Sequence, residues 1–269
     1  MTIRIKVIVA VLVTTLFVNC GGKKNDNPNF IKVGVSSGPE FNIAQAAQKV
    51  AKEKYGLEVE LVSFNDYVIP NEALNQGDLD ANAFQHKPYL DEQSKQRGYK
   101  LAIVGKTFVY PIAAYSKKIK SLDELQPEST IVIPNDPTNG GRSLLLLEKN
   151  GLIKLQEDVG LLPTVVDIIE NPKHLKILEL EAPQLPRALE DDNVTIAVIN
   201  NTFSSAAGLI PSRDALFVED KESPYVNLIV TREDNKDDEK VKKFVNAFQS
   251  TEVEEAALRE FKGGAIKGW

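Results

Sequence analysis

Residues 30–64 read FIKVGVSSGPEFNIAQAAQKVAKEKYGLEVELVSF, and this stretch decides the fold class. Residues 31–35 have the β-branched character of a strand, and 39–55 place apolar residues at helical spacing behind Pro39. The helix stops at Gly56, after which Val59 and Leu61 alternate with Glu60 and Val62 across 58–64 as a second strand. Strand, helix and strand in direct succession mark an α/β protein.

Working outward, the same alternation runs to the C-terminus. A short helix over 70–76 leads to a strand at 80–84, and a helix over 88–97 ends at Gly98, ahead of extended segments at 100–104 and 107–115. Ser121-Leu122-Asp123-Glu124 has the form of a capping box. A strand at 130–133 meets the turn Pro134-Asn135-Asp136-Pro137, and a helix follows over 142–149. Strands are expected at 176–180, 195–199 and 227–231, with helices over 237–249 and 252–261. Ala73-Leu74 before the strand at 80–84 is echoed 115 residues later by Ala188-Leu189 before the strand at 195–199. The echo admits two readings, chance likeness of two α/β units or two lobes of like topology with a cleft between facing strand ends.

Upstream, Arg4 and Lys6 precede an apolar run over 7–18 that is shorter than the roughly 20 residues a membrane span needs. This is the pattern of an export signal, and the lone cysteine, Cys20, directly after it is the position at which bacterial export signals are lipidated. The expectation is a signal peptide over 1–19, then a lipidated N-terminus and polar tether over 20–29. The triplet Phe17-Val18-Asn19 departs from the usual Leu, small residue, Gly or Ala.

Composition removes several function classes. The 269 residues carry 38 Asp+Glu against 32 Lys+Arg, a formal net charge of −6 with no basic stripe, so nucleic acid is not an expected partner. One cysteine and two separated histidines, His86 and His174, cannot build a structural zinc site, and no metal or cofactor is expected. No nucleophile elbow, His-Glu-x-x-His helix or Ca²⁺ loop occurs, and the acid pairs Asp78/Asp80 and Asp191/Asp192 read as solvated charge, so no catalytic residue is assigned.

Two clusters are candidates for binding. In Asn135-Asp136-Pro137-Thr138-Asn139-Gly140-Gly141-Arg142-Ser143, two glycines stand at the expected helix start beside an arginine. That arrangement is either a plain cap with a solvated Arg142 or a seat for a carboxylate. The second cluster, Tyr67 with Phe84, His86 and Tyr89, lies just past the C-terminal ends of two expected strands. It reads either as packing or as a box for an apolar or thioether side chain, since sulfur packs well against ring edges. Asn200 and Asn201, at a strand end, and Asn227, inside an apolar strand, need partners if buried, from the protein or from a ligand.

Longer runs carry a resemblance. Residues 60–74 (ELVSFNDYVIPNEAL), 80–90 (DANAFQHKPYL), 109–113 (VYPIA), 134–139 (PNDPTN) and 222–232 (ESPYVNLIVTR) closely resemble the methionine-binding lipoproteins of the NlpA family, substrate-capturing components of a methionine ABC importer. The likeness covers about residues 30–269. It implies a two-lobed periplasmic-binding fold, type II-like, with two crossing segments near 109–114 and 227–230. Lobe one would be 30–111 with 229–269, and lobe two 112–228. The side-chain box would be Tyr67, Phe84, His86 and Tyr89, with Arg142 as the carboxylate grip and Asn200 and Asn227 as polar contacts. Implied partners are L-methionine or its D form, a permease with its ATPase, and a membrane reached through the lipid on Cys20. The implied location is the bacterial cell envelope, at the inner membrane facing the periplasm. A methionine derivative or short peptide as the guest, or an adhesive surface role, stay open at this point.

Overall fold

The computed structural model describes residues 27–220 and 222–269; the export segment 1–19 and Cys20 lie outside the described residues. The chain begins with β1 (Phe30–Ser36), α1 (Pro39–Tyr55), β2 (Glu58–Phe64), α2 (Ile69–Gln76), β3 (Ala81–His86), α3 (Lys87–Arg97) and β4 (Leu101–Val109). Next come β5 (Ala113–Tyr115), β6 (Thr130–Pro134), α4 (Pro137–Lys149), β7 (Lys154–Leu155), β8 (Ile168–Glu170), β9 (Lys176–Leu180) and α5 (Leu185–Ala188). They are followed by β10 (Val194–Ile199), α6 (Asn201–Ala206), α7 (Pro211–Asp214) and β11 (Ala215–Val218). The last elements are β12 (Val226–Arg232), α8 (Glu239–Phe248), α9 (Thr251–Glu260) and β13 (Ile266–Lys267).

Two sheets form the two lobes. The first has strand order β13-β4-β12-β3-β1-β2 and the second β11-β5-β10-β6-β9. Both share one plan: β2-β1-β3 and β9-β6-β10 are parallel triplets, and each is extended by an antiparallel strand, β12 beside β3 and β5 beside β10. The echo in the sequence is therefore topological, since α2–β3 and α5–β10 occupy matching places. Each antiparallel strand is also where the chain enters from the other lobe. Residues 110–112 lead from β4 to β5, and the segment between Val218 and Val226 leads back to β12. The return crossing thus precedes 227–230, which pairs with β3 and β4 inside the first sheet. The extended segments read at 100–104 and 107–115 divide differently: β4 runs unbroken from Leu101 to Val109, and 113–115 form β5 in the other sheet, the break falling at Pro111, whose ring nitrogen cannot donate to a ladder.

Cores explain why these elements hold. On α1, Ile43, Ala44, Ala47, Val50 and Ala51 form one buried face, which meets Phe244 and Phe248 of α8 and Val253 and Ala257 of α9. Gly56 closes α1 at φ 60°, in the left-handed region, and its N–H returns to Ala51 and Lys52. The second lobe buries Ile131, Ile133, Leu144, Leu147, Ile196 and Val198. Ser121-Leu122-Asp123-Glu124 is not a capping box: it makes a single 3-10 turn in which Ser121 accepts from the Asp123 N–H, while the Glu124 carboxylate accepts from the Lys120 N–H. Among the described residues no helix is long and apolar enough to cross a membrane.

Candidate ligand-binding site

The first lobe's wall of the cleft starts at the end of β3. All six residues of this strand are buried, so Phe84 and His86 leave the sheet at its carboxyl edge with little freedom. His86 then caps α3: the Tyr89 N–H donates to its Nδ1 at 3.2 Å, which brings Tyr89 back over the same edge. Tyr67 arrives from the loop after β2, where Asp66 Oδ1 accepts from the N–H groups of Val68 and Ile69 and fixes the turn into α2. The Tyr89 hydroxyl donates to the Tyr67 carbonyl at 2.9 Å. Ring centroids of Tyr67, Phe84 and Tyr89 lie 6.0–6.2 Å apart, within the range of favourable aromatic contact.

The second lobe's wall is built from helix starts. Helix α4 begins at Pro137 with Asp136 as its cap, accepting from the Asn139 N–H at 2.9 Å. This corrects the expected start at 142. Gly140 and Gly141 lie inside the helix and do not present bare N–H groups to an anion; the Gly140 N–H, for one, donates to the Asp136 carbonyl. Their smallness serves packing, since a Cβ would come within 2.9 Å of the Pro134 carbonyl oxygen at Gly140 and 2.8 Å of the Leu161 carbonyl oxygen at Gly141. Asn139 and Arg142, three residues apart, share the face that looks into the cleft. Asn200 ends β10 and opens α6, ahead of Asn201 and Thr202.

All seven residues expected at the site, Tyr67, Phe84, His86, Tyr89, Arg142, Asn200 and Asn227, line one cavity. About 360 Å³ of space lies between the lining atoms, open solvent at its mouth included. Asn201, read with Asn200 at the strand end, lines the cavity as well, and so do four residues that the sequence reading did not single out: Gln85, Tyr110, Asn139 and Thr202. Asn139 had a legible signal, its place one helical turn before Arg142. Glu40 and Glu219, which stand behind the lining, had none. The first is an ordinary acid in a first helical turn, and the second opens the surface-like run Glu219-Asp220-Lys221-Glu222.

Polar contacts run across the cleft in a defined direction. Because His86 Nδ1 accepts from Tyr89, the ring proton sits on Nε2, which donates to Asn139 Oδ1 at 3.2 Å. Asn139 Oδ1 also accepts from Asn200 Nδ2 at 2.8 Å, and Asn139 Nδ2 donates to both Asp136 carboxylate oxygens. This leaves Asn200 Oδ1 buried without a partner among the described residues. Asn227 Nδ2 donates to the Phe84 carbonyl at 3.1 Å. A second interlobe contact joins the Thr202 hydroxyl to the Glu40 carboxyl of α1.

Arg142 is only 4% exposed and heavily engaged. Nε donates to Glu219 Oε1 at 2.8 Å, Nη2 donates to Glu219 Oε2 and, at 3.0 Å, to the Tyr110 carbonyl, and the guanidinium carbon lies 4.2 Å from the centre of the Tyr225 ring. Nη1 makes no hydrogen bond to the described residues and is the donor left for a guest. Burial, reinforced by the Arg142 charge, pushes His86 down to about 3, so the imidazole is neutral at physiological pH. Burial pushes the Glu40 carboxyl up to about 8, against the lowering effect of the Thr202 hydroxyl.

Comparison with known proteins gives consistent relatives. A sequence profile described as NlpA lipoprotein matches residues 31–269. The D-methionine-binding lipoprotein MetQ of Escherichia coli strain K12 is 69% identical over 260 residues, 97% of this chain and 96% of its own. Among solved structures, an ABC transporter periplasmic substrate-binding protein from Coxiella burnetii is 48% identical with TM-score 0.85, covering 88% of this chain and 100% of the other. A nutrient-binding protein from Burkholderia cenocepacia bound to methionine is 52% identical with TM-score 0.86, covering 89% and 100%.

Proposed function

The chain belongs to the NlpA lipoprotein family, and on that premise we propose that it captures methionine between its lobes and delivers it to the permease of an ABC importer. It is a binding component and not an enzyme; the permease and its ATPase are other chains. The observation that carries the substrate assignment is the division of one cavity into an aromatic side and a polar side, the two halves that a thioether amino acid requires.

In this reading the ligand carboxylate meets Nη1 of Arg142, and the ammonium meets the unpartnered Asn200 Oδ1, with Asn227 bounding the same end of the cavity. The thioether lies among Tyr67, Phe84, His86 and Tyr89, where each sulfur–ring contact is worth about 0.3–1.5 kcal/mol. Neutral His86 suits this role, because a charged imidazole would repel the Arg142 side of the cleft. The lobe built on the first sheet, residues 30–109 with 226–269, and the lobe built on the second, residues 113–218, act as the two bodies that close on the guest, and closure presents to the permease a shape that the open form lacks. Cys20 carries the lipid, and the protein faces the periplasm from the inner membrane.

The test is to unfold the purified mature protein, identify any released small molecule by mass spectrometry, refold it and titrate both methionine enantiomers by calorimetry. Tight one-to-one binding is expected. A refolded protein that ignores both enantiomers while releasing another compound would replace the substrate in this reading and leave the fold untouched.

A further inference from the structure

The guanidinium of Arg142 is the meeting point of both crossings between the lobes. The Tyr110 carbonyl comes from the outgoing crossing, while Glu219 and the Tyr225 ring come from the return crossing. Arg142 is also the only formally charged side chain among the residues that line the cavity. Glu219 does not line it. Its side chain is 14% exposed and grips the guanidinium edge through both carboxylate oxygens, so the positive charge presented to the cleft is already cancelled from behind. A ligand carboxylate therefore meets one donor of a neutralised cation, and the buried acceptor Asn200 Oδ1 nearby asks for a positive group on the same guest.

We propose that Glu219 is a specificity-determining positioning residue: it holds the Nε–Nη2 edge of Arg142, leaves Nη1 to the ligand, and sets the site's charge so that net-neutral zwitterionic amino acids bind and acids lacking the ammonium do not. Electrostatics separates this role from a purely structural one. Removing the Glu219 charge leaves a desolvated guanidinium that any carboxylate ligand can neutralise, so a monoanionic guest gains relative to a zwitterion. A role confined to holding the crossing in place would instead weaken all ligands in proportion. The inference rests on the capture of methionine proposed for this site.

The experiment compares L-methionine with 2-hydroxy-4-(methylthio)butanoate, which keeps the carboxylate and thioether and replaces the ammonium by a hydroxyl. Calorimetry at neutral pH is expected to give at least about a 100-fold preference for methionine in the parent protein, shrinking by about tenfold or more in Glu219→Gln. A ratio unchanged within about twofold, however far the separate affinities move, overturns the role of Glu219. If Glu219→Gln does not fold, Glu219→Asp, which keeps the charge and shortens its reach, is measured instead: the ratio should stay within about twofold of the parent even where both affinities fall, and a shift of about tenfold toward the hydroxy acid with the charge retained overturns the proposal. A parent protein that binds neither compound defeats the methionine reading itself, whereas methionine binding with an unmoved ratio defeats only the assignment to Glu219.

Discussion

The two walls of the cleft are made by the same topology and do opposite chemistry. The first lobe contributes Tyr67, Phe84 and Tyr89, and the imidazole and carboxyl it places near the cleft are held uncharged at neutral pH, His86 pushed down to about 3 and Glu40 up to about 8. The second lobe contributes Asn139, Arg142, Asn200, Asn201 and Thr202, fixed through the carboxylates of Asp136 and Glu219. The difference lies in the residues just beyond each strand. In the first lobe β3 runs straight into a helix whose cap is itself a ring, so apolar surface is carried to the edge; in the second, Asp136 just past β6 caps α4 and holds the Asn139 amide, and Asn200 just past β10 supplies another. A matched pair of folds thus yields a mainly aromatic wall and a polar one, with Asn227 of β12 the amide that the first lobe adds at its own edge.

The largest break in this division is Arg142→Ala. Loss of the head-group grip should weaken every α-amino acid by about 100-fold or more, irrespective of side chain. The same change strands Glu219, which is mostly buried, so the melting temperature should fall as well, with a cost of the order of 3–5 kcal/mol for breaking a buried pair from one side. Calorimetry and thermal melts on one preparation check both halves. Normal affinity for methionine would remove Arg142 from the site.

Phe84→Ala tests the opposite wall. Phe84 is buried and bounds the cavity, so its loss should cost methionine about 2–3 kcal/mol, some 30- to 150-fold, from lost contact with the thioether chain. Alanine as ligand, which does not reach the rings, should be weakened far less. Equal losses for methionine and alanine would mean that the ring supports the fold and does not select the side chain.

The contrast between the walls also decides what could be read from the chain alone. Strand ends are written in hydrophobic alternation, so Phe84, His86, Asn200 and Asn227 could be placed, and the capture of Tyr67 and Tyr89 into the same box came from their nearness to those ends. The start of α4 was misread because Pro137 and the glycine pair look like breakers, whereas Asp136 caps the helix and the glycines allow close backbone approach to Pro134 and Leu161. Glu40, Thr202 and Glu219 were illegible for another reason. Their partners lie at least 77 residues away in sequence, and nothing in the local pattern of a charge distinguishes one that will be buried from one that stays in water.

Glu40 sharpens the comparison through pH. Its folded-state value, raised from 4.5 to about 8, means that the native protein binds a proton there which the unfolded chain releases, so this contribution to stability is complete below about 4.5 and is lost as pH rises through 8. His86 has the opposite sign: with its value lowered from 6.5 to about 3, its contribution is present above 6.5 and lost as pH falls toward 3. Glu40→Gln should therefore remove the alkaline decline and keep the acid one, with the variant more stable than the parent at pH 9 by about 1 kcal/mol or more. Parallel melting curves for the two proteins from pH 5 to 9 would show that Glu40 is charged in the native state and that the first wall is not held neutral.

The smallest effect is expected at Tyr89→Phe. The hydroxyl makes one hydrogen bond, to the Tyr67 carbonyl, and the ring itself stays, so the apolar surface offered to the thioether is unchanged. Loss of one such bond costs about 0.5–1.5 kcal/mol, and only the share that tilts Tyr67 reaches the ligand, so methionine affinity should drop by less than about tenfold with no change in charge preference. A larger loss would mean that the hydroxyl touches the guest directly, and the aromatic box would then have a polar contact of its own. The division between an aromatic lobe and a polar lobe stands on that hydroxyl being spent inside its own wall.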